Sequence, residues 1–576
     1  MRFSFSVPVR ARLVGAMLAL LVGGCATAPA QRPARLDRAA ALPPSVDAES
    51  ELLAQLFAAQ FALQDDDLAA AARGFAAAAA KSSDPSVAEE ATQLALSQKD
   101  WALARRGVER WQTLAPKAPG IEQAQAWIAL GQGDAKEAFP HLQALAARGD
   151  EQGWRLVAQT LLNAPDKVGA AVLLARLVPA DGFAAKEGNA VAVSQLAFRL
   201  GDKSLARRLA DNAVARFHGE DAYAWSAHLA AVSDDAPRAK SIFAEAIARH
   251  PRSKRLRAGY ATLLGQGGDN VVAANVLAIG TQDQTTYAAR AAYAARADDK
   301  KLLAALYREV EADQSGRDGA RLFLLGQLAE LVDQRAAAID WYRAVPDEDD
   351  RYFDAQMRLA LVLDQAGRTG EAVDTLHRLV TSADGDPEQQ RDAWLLEADI
   401  LGKRGRKADA LKVYAQALTA QPDDERVLYA RALFTIDQGD VADGERDLRR
   451  IIERQPENAE ALNALGYTIS DHAKGDAARQ REALELIQRA LKLKPDEPAI
   501  IDSLGWVQYR LGDLDASLKD LRRAYARQSD PDIAAHLGEV LWVKGERAEA
   551  RRIWEDGRKK DAKNKALLET IERLTR

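Results

Sequence analysis

At 576 residues, with 48% hydrophobic and 28% charged side chains and only 20 prolines, the chain is too apolar to be disordered and too long for one ordinary core. A net charge of −6, from 78 basic and 84 acidic side chains, excludes the global basic field that holds nucleic acid. One cysteine among 576 residues excludes an internal disulfide.

The N-terminus is the first element. Arg2, Arg10 and Arg12 precede an apolar run from Leu13 to Val22, and Gly23-Gly24-Cys25 follows. A basic start, a short apolar stretch and small residues describe a signal peptide over 1–24, too short to serve comfortably as a permanent membrane span. Val22-Gly23-Gly24-Cys25 resembles a bacterial lipobox, which implies that Cys25 is lipidated and becomes the mature N-terminus. The alternative is an ordinary secretory signal with an incidental cysteine. Lipoproteins of this type carry several acyl chains, enough for stable anchoring where one chain is marginal. Ala26, not Asp, follows the cysteine; by the sorting rule of enterobacterial lipoproteins this implies the outer membrane, with the chain facing the periplasm. Losing 1–24 removes three arginines and no acid, so the net charge falls from −6 to −9.

Residues 25–47 come next, with Pro29, Pro33, Pro43 and Pro44 and no apolar periodicity. They read as a tether that spans on the order of 70 Å when extended. Arg32, Arg35 and Arg38 in it suit a solvated linker better than contact with lipid head groups.

From residue 48 the pattern is helical and repeats. In the degenerate stretch 48–319, Trp111 with Pro116, and Phe243 with Ala246 and Pro251, mark copies of one unit. Turns stand at Gly133-Asp134, Gly201-Asp202 and Gly268-Asp269, and later at Gly439-Asp440 and Gly512-Asp513, where glycine supplies a positive φ. The unit is least legible over 153–178 and 282–313. Across 320–576 it sharpens. The copy from Asp392 reads Trp394, Ala398, Leu401, Ala410, Tyr414, Ala417 and Pro422. The first small residue recurs at Ala432, Gly466, Gly505 and Gly538, and the second at Gly444, Ala483, Ser517 and Ala550. Pro456 closes its copy 34 residues after Pro422. Small residues at fixed offsets let two helix axes approach closely, and proline ends the second helix. This period and wording resemble the tetratricopeptide repeat. The expectation is an all-α superhelical solenoid of roughly fifteen helical hairpins. One step, Gly466 to Gly505, is 39 residues long, which predicts an enlarged turn around 472–481.

Chemistry-bearing patterns are missing. There is no His-Glu-x-x-His, Gly-x-Ser-x-Gly, Ser-x-x-Lys or phosphate loop, and the seven histidines never fall at metal-ligand spacing. The expectation is no catalytic residue, metal or cofactor. His250 before Pro251 reads as structural at a helix end. Asp347-Glu348-Asp349-Asp350 lacks the alternating ligands and central glycine of a calcium loop and reads as a solvated connection. The basic cluster Arg252–Arg257 reads as a charged helix face.

What remains is surface. In such a stack the first helix of each hairpin lines one face, and the repeat register selects Tyr429, Asn463, Tyr467, Asp502, Trp506, Tyr509, Arg510, Glu539 and Trp542 as a partner-binding groove. Large aromatics mixed with single charges have the composition of binding hot spots, although Trp and Tyr also pack between repeats. Trp394 and Trp554 occupy core positions of the repeat.

The stretch Asp502-Ser503-Leu504-Gly505-Trp506 through Tyr509-Arg510-Leu511-Gly512, then Asp532 to Trp542, resembles a family of proteobacterial outer-membrane tetratricopeptide lipoproteins. The lipobox, the Pro-rich tether and a solenoid of similar length extend the resemblance over the whole chain. A member from pseudomonads is an adaptor that brings peptidoglycan hydrolases to a periplasmic carboxy-terminal processing protease. The resemblance implies a non-catalytic scaffold with periplasmic protein partners, held to the membrane by its N-terminal lipid. It assigns no residue to the protease. Tetratricopeptide lipoproteins also serve as scaffolds in outer-membrane protein assembly, pilus secretion or polysaccharide export, the alternative reading.

Overall fold

The computed structural model describes residues 48–148, 151–178, 186–381, 386–473 and 475–576. The expectations for the signal peptide, Cys25 and the tether lie outside the described residues. Within them the chain forms thirty-one α-helices and no strand, which run as fifteen successive pairs and a closing helix, Lys565–Thr575. None is long and apolar enough to cross a membrane. There are two compact units, one ending at Leu209 and one running from Ala210 to Arg576. Within each unit a helix packs on its chain neighbour and, more lightly, on the next helix but one. Ala459–His472 thus touches Pro498–Arg510, which touches Pro531–Lys544. Contacts stay local, which is how a solenoid grows without a central core.

The hairpin turns follow from three residues. Helix Pro119–Gly131 is capped by Gln132, and Gly133 then takes φ 79°. Gly133 N–H donates to the Leu130 carbonyl at 3.1 Å and Asp134 N–H to the Ala129 carbonyl at 2.8 Å, the pairing that satisfies a helix end. Asp134 then accepts from the Glu137 amide at 2.8 Å and caps the next helix. One residue therefore finishes one helix and starts another. Gly201, Gly268, Gly439 and Gly512 also have positive φ. Asp66, Lys99, Asp234, Asp298 and Asp333 hold the same backbone conformation in other hairpins. Aspartate tolerates it through local hydrogen bonds.

The small positions sit where helices meet. Ala398 and Ala432 are fully buried, as are Ala410, Ala483, Ser517 and Ala550. A Cβ on Gly466 would stand 2.6 Å from Ile487 Cγ1, and one on Gly505 would stand 2.6 Å from Leu521 Cγ. Trp394 and Trp554 are buried among these helices. Polar contacts one repeat apart bind neighbouring hairpins: Arg426 to Asp392 at 3.0 Å, Gln421 to the Pro387 carbonyl at 2.8 Å, and Asn564 to Asp532 at 2.9 Å.

Two expectations are corrected. The extra residues after Gly466 enter the helix more than the turn. Helix Ala477–Leu493 has 17 residues, against 14 in Val441–Arg454 and Leu514–Arg527, and its added turn is held where Arg479 binds Glu445 at 2.5 Å. The basic cluster is not one charged face. Ser253 caps helix Lys254–Gln266, Lys254 and Arg255 pair outward with Asp283 and Asp221, and Arg257 is buried with its guanidinium on the Pro251 carbonyl. The glycine at 280 leaves the room that this guanidinium fills.

Glu397 is also buried, one residue before the small position Ala398. Burial pushes its carboxyl up to about 7; Arg406 opposes that and Asp374 adds to it. A raised carboxyl pKa contributes stability that is present at low pH and lost as pH rises through about 7. Denaturant titrations at pH 5.5 and pH 8 should therefore show a loss on the order of 1–2 kcal/mol in the wild type, and Glu397→Gln should remove most of that difference.

Candidate functional site

Four helices bring the groove residues together: Ala459–His472, Pro498–Arg510, Pro531–Lys544 and Lys565–Thr575. Their centre is a histidine. His536 Nδ1 lies 2.8 Å from Asp502 Oδ2, its Nε2 lies 3.3 Å from the Tyr467 hydroxyl, and Trp506 stacks on its ring with centroids 4.2 Å apart. Trp506 also meets Tyr509 at 5.3 Å, and the Arg510 guanidinium stands 4.6 Å over the indole. Arg510 donates to Asp471 at 2.9 Å. Tyr509 donates to Glu539 at 3.3 Å, and Arg573 donates to the other oxygen of the same carboxylate at 2.5 Å. Trp542 closes the row against Trp554, with Arg547 and Arg551 over its ring at 5.1 and 5.4 Å.

The cluster is a layered arrangement. Asp502, Trp506 and Glu539 are buried, at 6%, 4% and 3% exposure, and they support the half-buried Tyr467, Tyr509, Arg510 and Trp542. The expectation of an open groove is therefore corrected for those three, because repeat stacking covers them. Tyr429 lies apart, lining a cleft of about 250 Å³ with Leu395, Glu425, Arg426 and Glu460. Asn463 is half-buried one turn before Tyr467, with its Oδ1 unbonded.

Burial alone would lower the pKa of His536, but Asp502, then Glu539 and Asp471, outweigh it and hold the imidazole above its ordinary value. When the ring is protonated, carboxylates balance its charge, as Asp471 does for Arg510 and Glu539 for Arg573. Such a site is charge-matched and rigid, and its half-exposed edges offer aromatic area together with polar groups. Trp506 Nε1 and Asp502 Oδ1 remain buried without a hydrogen-bond partner, each at a cost of roughly 1–3 kcal/mol.

His536, Asp471 and Arg573 belong to the cluster and were not selected by the repeat register. A usable signal was spacing: His536 follows Asp502, and Arg573 follows Glu539, by one 34-residue repeat.

The tetratricopeptide repeat model matches residues 357–425, 395–440 and 503–563. A TPR repeat-containing protein of Pseudomonas aeruginosa is 41% identical over 217 residues, which cover 38% of this chain and 35% of that one. The bacteriophage adsorption protein A of Escherichia coli is 32% identical over 160 residues, 25% of this chain and 15% of that protein. The chain thus spans about a third or less of the length of these curated relatives. Among solved structures, a tetratricopeptide repeat protein from Parabacteroides merdae aligns with a TM-score of 0.36 at 12% identity, over 45% of this chain and 100% of that one. The repeat matches and the hairpin geometry agree: the fold is an all-α tetratricopeptide solenoid, a scaffold suited to binding proteins.

Proposed function

We propose that this tetratricopeptide protein is a non-catalytic adaptor, anchored through a lipid on Cys25 at the periplasmic face of the outer membrane, that brings a carboxy-terminal processing protease to peptidoglycan hydrolase substrates. The observation that carries the binding part is the row of half-buried Tyr467, Tyr509, Arg510 and Trp542 over a packed support. A prearranged aromatic surface loses little side-chain freedom on binding, so more of the contact energy appears as affinity. The resemblance of the 502–542 stretch and the lipobox to the lipoprotein family supports the partner and the location. A scaffold of this kind acts by effective concentration, holding protease and substrate together without chemistry of its own.

Capture on the immobilised chain from a periplasmic extract tests it. A serine protease with a PDZ-type domain, recovered together with murein hydrolases, is the expected result. The paired substitution Tyr509→Ala with Trp542→Ala should weaken that capture by about 2 kcal/mol, near thirtyfold in Kd, and leave helical content unchanged. Recovery of barrel-assembly, pilus or polysaccharide-export components instead would overturn the adaptor reading.

A further inference from the structure

The first helix, Ala48–Gln64, packs one side into the core of its unit through Leu52, Leu56, Ala59 and Leu63. Another side, carrying Leu53, Phe57 and Phe61 at intervals of four, is 51%, 62% and 62% exposed. Later in this unit, Pro85–Ser97 packs on the second helix of the hairpin before it, Leu68–Lys81; nothing described precedes Ala48. The outward face of a solenoid helix is ordinarily polar, and this one is apolar. Its flanks are acidic, with Glu49 at the start and Asp65-Asp66-Asp67 just beyond the end.

The same unit holds a complementary surface. Between helices Leu68–Lys81 and Trp101–Leu114 lies a cleft of about 590 Å³, floored by small side chains such as Ala76, Ala80 and Gly107 and lined by Arg73, Arg106 and Arg110, with no carboxylate in the lining. Arg110 donates to the carbonyls of Ala79 and Ser82 at 3.1 and 2.8 Å, and it makes no ion pair among the described residues. Arg73 and Arg106 are exposed and make no ion pair within the described structure. A floor of alanine and glycine is what lets helices approach closely elsewhere in this fold.

We infer that copies of this chain associate through the N-terminal unit, the apolar, acid-flanked first helix of one copy lying in the alanine-floored, arginine-lined cleft of another. Charge selects this occupant over two others. The chain's own residues 25–47 carry Arg32, Arg35 and Arg38 and no acid before Asp37, a poor match to an arginine cleft. An anionic bilayer would repel the acids at both ends of the helix.

Sedimentation velocity of the purified full chain over a concentration series tests the inference. Average mass should rise with concentration and fall back as salt is added. Phe57→Ser with Phe61→Ser should weaken self-association at least tenfold, and so should Arg73→Glu with Arg106→Glu; all four sites are at the surface, so thermal melts should not change. Mixing the two variants should restore association, now only in pairs, because one supplies the intact helix and the other the intact cleft. A synthetic peptide of residues 48–67 should compete with it. A single-chain mass at every concentration would overturn the inference. Association that survives the arginine reversal would also overturn it, as would loss of phosphatidylethanolamine–phosphatidylglycerol vesicle binding in the Phe variant with self-association intact.

Discussion

Trp506→Ala should unfold the C-terminal repeats well before the rest of the chain, with a local loss of about 3–5 kcal/mol. The indole is almost wholly buried and is the shared face of three contacts: the His536 ring stacked at 4.2 Å, Tyr509 at 5.3 Å and the Arg510 guanidinium at 4.6 Å. Truncation leaves a cavity beneath the charge-matched histidine and frees Arg510 from one of its two anchors. In a solenoid each repeat is held mainly by its neighbours, so the effect should appear first as lost amide-exchange protection in the helices around residues 498–544. Trp506→Phe separates shape from polarity. It keeps an aromatic face for His536 and removes the indole N–H that has no partner, so it should cost well under half as much as alanine. Equal losses for the two variants would contradict a packing role for the ring. Trp542→Ala, at a half-buried site, should affect partner capture more than melting.

That contrast shows how far the sequence reached. The period identified the hairpins because closeness between helices demands a small residue, met by Ala398, Ala432 and Gly466, all of them buried. Turns were legible wherever glycine marks the left-handed residue. They were hidden at Asp66, Asp234 and Asp298, where an aspartate just before the capping acid adopts the same φ and looks like ordinary surface charge. The stretch 282–313 was unreadable for a related reason. Beside its apolar core, its hairpin carries ion pairs of buried arginines with more exposed acids, Arg290 on Glu309 at 2.7 Å and Arg321 of the following helix on Asp313 at 3.1 Å, and such charged residues do not look like core in the sequence. The groove was legible as a set of positions but not as a set of exposures. Register states which way a side chain points from its own helix, whereas burial depends on what the next repeat lays over it. Glu539 shows the difference, being covered by Tyr509 from one side and Arg573 from the other. His536 was missed because its place is set by a partner one repeat away.

Gly538→Val should destabilise the last repeats by about 3 kcal/mol or more. This residue is the last of the first small positions, and a Cβ there would lie 2.0 Å from Trp554 Nε1, 2.4 Å from its Cδ1 and 2.5 Å from its Cε2. Those atoms belong to a rigid ring that is itself buried and backed by Trp542 at 5.5 Å. The ring has nowhere to go, so the two helices of the hairpin must separate and uncover Leu541, Ala550 and Ile553. Gly370→Val is the matched control. Position 370 is also helical, but a Cβ there meets nothing within 4 Å, and the change should stay within about 0.5 kcal/mol. Chemical denaturation followed by tryptophan fluorescence distinguishes the two sites, because the quenching environment of Trp554 should change in the first variant and not in the second. If Gly538→Val were as neutral as Gly370→Val, close helix approach would not be the reason for a small residue here, and the physical basis for reading the repeat from its small positions would fail with it.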